Sequence, residues 1–279
     1  VKFYRSAMGA GIKPIIGADV MLAGDDDGAA LTRLTLLCQT DAGYQNLSVL
    51  LSEGYRIGQI DGRPTLSRSL MEVRSQGLIV FAGGVTGELG LALLDGRTGD
   101  ARAVATYWRD LLGDRFYIDL VRTGRAGENT YIERAVELAW ELDIPVVAHN
   151  DVRFLAPQDY ESHEVRVCIH ESRTLADPRR SRAYSEQQYL RSSAEMAELF
   201  ADIPEAIANT LEIAKRCNVE LRLNETFLPD FEVPDGHTTE SWFEQESKAG
   251  LEPRLTGLFG ETVAEHRAPY DERLRMELD

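Results

Sequence analysis

Cysteine is scarce in this chain of 279 residues, which has three cysteines, Cys38, Cys168 and Cys217. They lie far apart, and no two of them form a Cys-x-x-Cys motif. This pattern excludes a disulfide framework and a thiolate zinc site. It is typical of proteins in a reducing compartment, so we expect a cytoplasmic protein.

Long apolar runs are missing too. No run approaches the roughly 20 apolar residues of a membrane-spanning helix, although 43% of the residues are hydrophobic. No secretory signal opens the chain. The sequence begins without methionine and ends inside a predicted helix, so we expect a fragment cut at both ends.

Positive charge is in deficit, with 30 lysines and arginines against 46 acidic residues and a net charge of −16. We therefore expect no tight, non-specific binding of nucleic acid by the whole surface, because phosphate contacts need clustered basic side chains. The net charge does not decide whether the surface carries a local basic patch. The acidic surface suits solubility or contact with a basic partner.

Apolar strands alternate with amphipathic helices along most of the chain. Strands are predicted in KPIIGADVML, LTRLTLLCQ, GLIVFAGG, RFYIDLV and IPVVAHND, and helices in DARAVATYWRDLLG and ENTYIERAVELAWELD. This alternation predicts an α/β fold with a parallel sheet and helical crossovers, either a barrel or a doubly wound sheet. Asp41 and Asp202 are predicted helix N-caps, with Pro204 in the first turn of the second helix.

Candidate site residues follow the predicted strands. Asp19, Gly83 with Gly84, Arg122 with Thr123, and the segment 149–153 all stand at strand ends, where α/β barrels place their chemistry. Asp19, Asp151 and His149 could bind a divalent metal. Strand-end aspartates are also ordinary caps, and Arg122 and Arg153 in the same ring favour an anion over a metal.

Two further motifs are weaker. His163 and His170 are seven residues apart, which is not the zinc-protease spacing, so surface or capping histidines are the expected interpretation. A basic segment with aromatic residues could contact phosphate, but a solvated loop is the simpler interpretation. This segment contains Arg179, Arg180, Arg182, Tyr184 and Tyr189.

Several stretches have residue patterns that are more specific than the apolar periodicity of a helix or strand. They include VKFYRSAMGAGIKPIIGADV, VVAHNDVRFL, SHEVRVCIH, YSEQQYLRS, ELFADIPEAIANTLEIAKRCNVELRL and LPDFEVPDG. Together they closely resemble the amino-terminal part of the alpha subunits of bacterial DNA polymerase III. The resemblance implies a distorted (β/α)7 polymerase and histidinol phosphatase (PHP) barrel over residues 1–221, lacking its first elements. Residues 222–279 would be a linker and the first helices of a palm domain.

The resemblance also allows the family's metal ligands to be compared one by one. Its first histidine motifs would precede Val1. Its Gly-x-Glu falls on residues 17–19, which shortens the glutamate to Asp19, and one ligand histidine falls at Arg122 or Thr123. Its Asp-x-His falls on residues 151–153, so that Asp151 stays and the histidine becomes Arg153. His149 is at no ligand position.

These departures imply a vestigial metal site, because arginine offers no lone pair and adds positive charge. We therefore expect neither catalytic nor metal-binding residues in the chain, with Asp19, Arg122, Asp151 and Arg153 as remnants. Asp151 becomes a partner for nearby arginines. The family's polymerase aspartates, which use Mg²⁺, would lie beyond Asp279.

The resemblance implies a part of a replicative DNA polymerase that scaffolds the enzyme and docks a proofreading 3′–5′ exonuclease subunit. Other holoenzyme subunits would be partners of the parent chain, which would also contact DNA. Two alternatives stay open. One is an active metal-dependent phosphoesterase or exonuclease that uses Asp19 and Asp151. The other is a structural fragment with an anion pocket around Arg122 and Arg153.

Overall fold

The chain contains two compact units, which comprise Val1–Leu221 and Arg222–Asp279. A computed structural model describes residues 1–24, 30–60, 62–223, 225–226, 228 and 231–279. Part of the predicted linker, including Pro229 of LPDFEVPDG, lies outside the described residues.

The first unit is built on one mixed sheet. In the described part of the chain its strands are β1 (Gly17–Leu22), β2 (Thr32–Cys38), β3 (Gln59–Ile60), β4 (Arg63–Leu66), β5 (Leu78–Phe81), β6 (Phe116–Val121) and β7 (Val146–His149). Their spatial order is β3-β4-β1-β2-β5-β6-β7. The predicted strands are therefore confirmed, and β3 and β4 are additional.

The predicted parallel sheet is present only in part. Strands β5, β6 and β7 are parallel, as are β1 and β4. Strand β2, however, runs antiparallel to both β1 and β5. The segment that joins Leu22 to Thr32 is too short for a crossover helix, so β1 and β2 pair directly as a hairpin.

The helices of the first unit lie before, between and after these strands in the sequence. Among the described residues they are α1 (Lys2–Gly9), α2 (Asp41–Arg56), α3 (Arg68–Arg74), α4 (Glu88–Leu94), α5 (Thr98–Leu112), α6 (Glu128–Leu142), α7 (Tyr160–His170), α8 (Ser193–Leu199) and α9 (Pro204–Arg216). Helices α5 and α6 confirm the two predicted crossovers. Helix α5 follows α4 on the connection from β5 to β6, and α6 connects β6 to β7.

Both predicted caps are corrected by one residue. Thr40, not Asp41, caps α2, because its side chain accepts a hydrogen bond from the Gly43 N–H at 3.2 Å. Helix α9 begins at Pro204, as expected, but its N-cap is Ile203 without a side-chain bond. The Asp202 carboxylate instead binds Arg122, so it is not available to the helix.

The core occupies both faces of the sheet. Every residue of β5 and β6 is buried, as the apolar strands predict. One face packs against α4, α5 and α6 around Trp108. The other packs against α9, where Ile213 and Cys217 contact Phe81 and its neighbours. Full burial of a large apolar side chain stabilises the fold by about 1.5–3 kcal/mol.

The second unit is helical, with α10 (Thr239–Phe259), α11 (Val263–His266) and α12 (Ala268–Leu278) among its described residues. Thr238 caps α10 by accepting a hydrogen bond from the Ser241 N–H at 3.2 Å. Its assignment as the start of a palm domain stays a prediction. Within the described residues, no helix is long and apolar enough to cross a membrane.

Candidate functional site

A cavity of about 210 Å³ lies where β5, β6 and β7 end. Strand β2 begins at the same edge, because it runs antiparallel to β5. Strand β5 contributes Gly83 and Gly84, which follow it, to the cavity lining. The charged and histidine side chains of the lining come from β2, β6, β7 and the segments that follow β6 and β7, namely Arg33, Asp119, Arg125, Glu128, His149, Asp151 and Arg153. Parallel strands bring their carboxyl ends together in this way, as the sequence predicted.

The Asp151 carboxylate is surrounded by three arginines. Arg153 Nη2 lies 2.8 Å from Oδ1, and Arg33 Nη2 lies 3.5 Å from the same oxygen. Arg125 Nη1 lies 3.1 Å from Oδ2. The Asp151 side chain is only 5% exposed, so these charges interact in a poorly solvated environment. Asp151 is therefore an acceptor for guanidinium groups.

Burial alone would raise the pKa of Asp151, but the positive charges of Arg153, Arg33 and Arg125 outweigh it and hold that pKa below its ordinary value. Gln188 adds a hydrogen bond from Nε2 to Oδ2 at 3.0 Å. The carboxylate is thus ionised and its oxygens are fully engaged.

Asp119 is the second buried carboxylate, on the β6 face opposite the crossover helices. Its Oδ1 accepts hydrogen bonds from the Gly83 and Gly84 N–H groups at 2.8 and 3.0 Å. Its Oδ2 lies 3.1 Å from His149 Nε2. Burial would raise the pKa of Asp119, but the hydrogen bonds from His149 and Gly84 hold it below its ordinary value.

His149 is held at both ring nitrogens. The Asp151 N–H points to Nδ1 at 3.2 Å, so Nδ1 carries the lone pair and Nε2 carries the hydrogen that faces Asp119. Neither nitrogen is free to accept a metal or a substrate proton. His149 is therefore a positioning residue for Asp119, which agrees with its absence from the expected ligand positions.

Glu128, at the start of α6, is the third buried carboxylate. It accepts hydrogen bonds from the Thr123 N–H at 2.6 Å, the Thr123 hydroxyl at 2.7 Å and Arg125 Nε at 2.9 Å. Arg125 therefore bridges Glu128 and Asp151. These contacts fold the turn after β6 inwards at Arg125.

Asp19 lies at the margin of this network. Its carboxylate binds Arg33 Nη2 at 2.8 Å and the Thr35 hydroxyl at 2.6 Å. Arg33 thus bridges Asp19 and Asp151, as Arg125 bridges Glu128 and Asp151. Burial lowers the pKa of Arg33, but Asp19 and Asp151 outweigh this effect and raise it.

Arg122 does not join Arg153, which corrects the prediction of an anion pocket shared by the two arginines. Its guanidinium binds both oxygens of Asp202, at 2.6 and 2.7 Å, and the Leu199 carbonyl at 2.6 Å. It also lies over the Phe200 ring. Arg122 follows β6 as predicted, but its side chain is directed to the segment before α9, outside the cavity.

The cavity does not fit a divalent metal centre. Three guanidinium groups contact its carboxylates, and they offer only N–H donors and positive charge. Within the described residues, no group of three or more histidine, cysteine or acidic side chains could hold a metal ion. Three arginines against three carboxylates also leave little net charge to attract an anion.

The other predicted motifs do not form one surface. His163 packs against the rings of Tyr184 and Phe154, and His170 is exposed at the end of α7. Arg179 pairs with Asp177, and Arg180 pairs with the buried Glu164. The other three residues of the basic segment also have different surroundings. Tyr184 packs against Arg153, the Tyr189 hydroxyl donates a hydrogen bond to Glu195, and Arg182 is exposed.

Sequence reasoning missed several residues of the network, namely Arg33, Asp119, Arg125, Glu128 and Gln188. One signal was available, because Asp119 is the single charged residue in the apolar strand FYIDLV. A buried carboxylate needs partners, so that position indicated a polar network behind the strand. The arginines carried no such signal, since arginine is common on surfaces.

Comparison with known proteins gives a consistent result. The PHP domain family matches residues 1–123. The DNA polymerase III subunit alpha of Vibrio cholerae is 48% identical over 281 residues, and that of Escherichia coli strain K12 is 48% identical over 280 residues. The subunit of Pseudomonas aeruginosa is 47% identical over 282 residues.

Each alignment covers 100% of this chain and 24% of the relative, so the chain spans about a quarter of the length of these relatives. The predicted resemblance to DNA polymerase III alpha subunits is confirmed. The predicted α/β PHP fold is confirmed by the mixed sheet and the family match. The chain is thus similar over its whole length to DNA polymerase III alpha subunits, and its first 123 residues match the PHP domain family.

Proposed function

We propose that this chain is a catalytically silent PHP region of a bacterial replicative DNA polymerase, which scaffolds the polymerase and docks a proofreading 3′–5′ exonuclease subunit. The parent protein would be a cytoplasmic DNA-directed DNA polymerase that uses Mg²⁺ at aspartates outside this chain. It would contact DNA and the other holoenzyme subunits.

The proposal that this region lacks catalytic activity rests on one observation. Arg153 occupies the position where the family resemblance expects a metal-binding histidine, and it pairs with Asp151, the ligand expected to remain. Arg33 and Arg125 complete the neutralisation of that carboxylate. Guanidinium groups thereby supply the positive charge that metal ions would otherwise contribute to the buried acids, but they cannot activate water.

The same contacts support the proposed scaffold role. The network joins β1, β2, β6, β7 and the segment around Gln188 through side-chain contacts between residues far apart in the sequence, several of them with the buried Asp119 and Asp151 carboxylates. Removal of one partner of a buried pair costs about 3–5 kcal/mol, so the arginines hold this edge of the sheet together.

The proposal of exonuclease docking rests on what the family resemblance implies and on charge. An acidic surface favours a protein partner over DNA. The test is biolayer interferometry between this chain and the purified exonuclease subunit of the same organism, with a sensor that carries no chain as baseline. A saturable complex is expected, and no detectable complex at tens of micromolar would refute docking on this chain.

An active metal-dependent phosphoesterase or exonuclease is the second candidate, because three buried carboxylates and a histidine meet in one cavity. Metal analysis after dialysis against Mn²⁺ or Zn²⁺ separates the two proposals. We expect less than one equivalent per chain and no hydrolysis of p-nitrophenyl phosphate. Two or more bound ions per chain, with activity lost in Asp151→Asn, would establish the second candidate instead.

A further inference from the structure

A surface groove of about 390 Å³ lies between α6 and the segment that leads into α9, outside the cavity at the strand ends. Ile132 and Val136 of α6 form one apolar wall of this groove, and Ile203 forms the other. Arg122 and Asp202 also line it, but they form an ion pair with each other. Because these two charges cancel, the apolar walls and the remaining charged residues decide what the groove can bind.

Trp140 extends the groove along α6. It follows Val136 by four residues, so the two side chains are neighbours on one face of the helix. Trp140 is 89% exposed, and within the described residues no cation is stacked on its indole and no other ring contacts it. Tryptophan is mostly buried in folded proteins, and it is enriched among the residues that dominate binding at protein interfaces. The exposed indole therefore indicates a binding surface.

The same face of α6 is acidic. Glu133 lines the groove, and Asp143 follows Trp140 by three residues at the end of the helix. Both carboxylates are exposed, and neither pairs with a cation in the part of the chain that the structure describes. The last turn of α6 contains no basic residue, so the negative end of the helix dipole adds to the effect of Asp143. A cation beside Trp140 would therefore be stabilised.

The arginines near α6 do not neutralise these two carboxylates, because each is matched by another acid. The matched pairs are Arg102 with Glu141, Arg109 with Asp110, and Arg134 with Glu137. The first two are ion pairs, and the third pair lines a depression on the side of α6 that faces α4. The surface around the groove thus has a net negative charge, and charge complementarity favours a basic occupant.

We propose that this groove binds an extended, basic protein segment. An apolar side chain of the segment would fill the groove between Val136 and Ile203, and an arginine or lysine would lie on Trp140 beside Asp143. Four residues of an α-helix rise by about 6 Å, and side chains two residues apart in an extended segment are separated by about 7 Å. The cation should therefore stand two residues from the apolar side chain.

Other occupants fit the groove less well. A nucleic-acid strand would bring its phosphates close to Glu133, Asp143 and the negative end of α6, which would repel them. An acidic peptide would meet the same repulsion. The groove would bind a basic segment whether or not the exonuclease subunit docks on this chain.

The test is an NMR titration of the isotope-labelled 279-residue chain with the blocked pentapeptide Ser-Leu-Ser-Arg-Ser. The signals to follow are the Trp140 indole N–H and the backbone amides of Val136 and Ile203. We expect saturable shifts of these signals, with a dissociation constant of about 1 mM or below. The affinity should fall as salt is added, because salt screens exposed charges.

Two variants test the residues that would bind the cation. Trp140→Ala should weaken binding about fivefold, and Asp143→Asn should weaken it about threefold, with the Val136 amide as the signal in both. Trp140 is exposed, and asparagine tolerates the φ of 53° at position 143. Both variants should therefore keep the melting temperature of the parent chain.

Matched controls lie on helices that contribute no residue to the groove. Tyr55→Ala removes an aromatic side chain of α2 that is 63% exposed. Glu161→Gln on α7 removes one exposed negative charge, as Asp143→Asn does. Neither control should change the affinity for the pentapeptide.

Four outcomes would overturn the proposal. One is an unchanged affinity in Trp140→Ala, and another is equal binding of a pentapeptide with glutamate in place of arginine. A third is equal binding of Ser-Leu-Arg-Ser-Ser, because adjacent side chains of an extended segment point to opposite sides. The fourth is tighter binding of an oligothymidylate that shifts the same signals.

Discussion

Arg153 and Asp151, two residues apart just after β7, form an ion pair in which Nη2 lies 2.8 Å from Oδ1. Arg33 and Arg125 reach the same carboxylate from β2 and from the turn after β6. The three arginines together surround an acid that the family resemblance assigns to metal binding. This arrangement determines how the chain should respond to substitution, to acid and to metal ions.

Replacement of Asp151 should destabilise the first unit strongly. Asp151→Ala leaves three guanidinium groups facing one another without their shared carboxylate, so we expect a loss of about 3–5 kcal/mol in the free energy of unfolding. Urea denaturation measures it. The control is Asp110→Ala, whose ion pair with Arg109 is exposed and should contribute less than about 1 kcal/mol. Equal losses in the two variants would contradict the role of Asp151.

Acid should weaken the fold through the same residue. Because the pKa of folded Asp151 lies below its ordinary value, its contribution to stability is present above about pH 4 and is lost as the pH falls further. The measurement is the free energy of unfolding at about pH 5.5 and about pH 3.5. Asp151→Asn should show a smaller decrease than the parent chain between the two. An unchanged decrease would assign acid sensitivity to other carboxylates.

Restoring the expected histidine should not by itself restore a metal site. In Arg153→His, Arg33 and Arg125 still contact the Asp151 carboxylate, so we expect no binding of Mn²⁺ or Zn²⁺ at micromolar concentrations. Isothermal titration calorimetry tests this expectation, with the parent chain as reference. A stoichiometric binding isotherm for this single variant would show that the other two arginines do not block the site.

Gly83 should tolerate no side chain. Its φ is +88°, and a Cβ there would lie 1.9 Å from the Arg33 carbonyl oxygen. Gly83→Ala should therefore cost several kcal/mol and displace Arg33, since backbone atoms cannot move aside. Gly99→Ala is the control, because Gly99 lies in α5 with no atom within 4 Å of the added Cβ. That change should stabilise the chain by up to about 1 kcal/mol. Similar unfolding curves for both variants would contradict the close approach.

Much of the local structure could be predicted from the sequence. Apolar strands and amphipathic helices were located correctly because burial requires their periodicity. The pairing of Asp151 with a nearby arginine was anticipated, since Arg153 is only two residues away. The cap of α2 was misplaced because Thr40 and Asp41 are adjacent residues of similar capping ability. The cap of α9 was misplaced because Asp202 binds the distant Arg122. Strand direction between β1 and β2 was also missed.

The sequence could not show which of Arg122 and Arg125 faces the cavity. Both follow β6, and the sequence pointed to Arg122 as the strand-end residue. Gly124 and Gly127 adopt positive φ angles, and the turn they form directs Arg125 to Asp151 while Arg122 faces Asp202. The conformation of a glycine-containing turn depends on its surroundings, so spacing alone could not identify the inward arginine.

By itself, the sequence determined the resemblance to DNA polymerase III alpha subunits, the α/β class, and the arginine at position 153 where that resemblance expects a ligand histidine, because these depend on residue identity and local periodicity. Only the tertiary structure decided that Arg33 and Arg125 join Arg153 around Asp151, and that His149 is bound to Asp119. Those contacts join residues far apart in the chain. Their geometry follows from strand order, antiparallel pairing and turn conformation, which residue spacing does not specify.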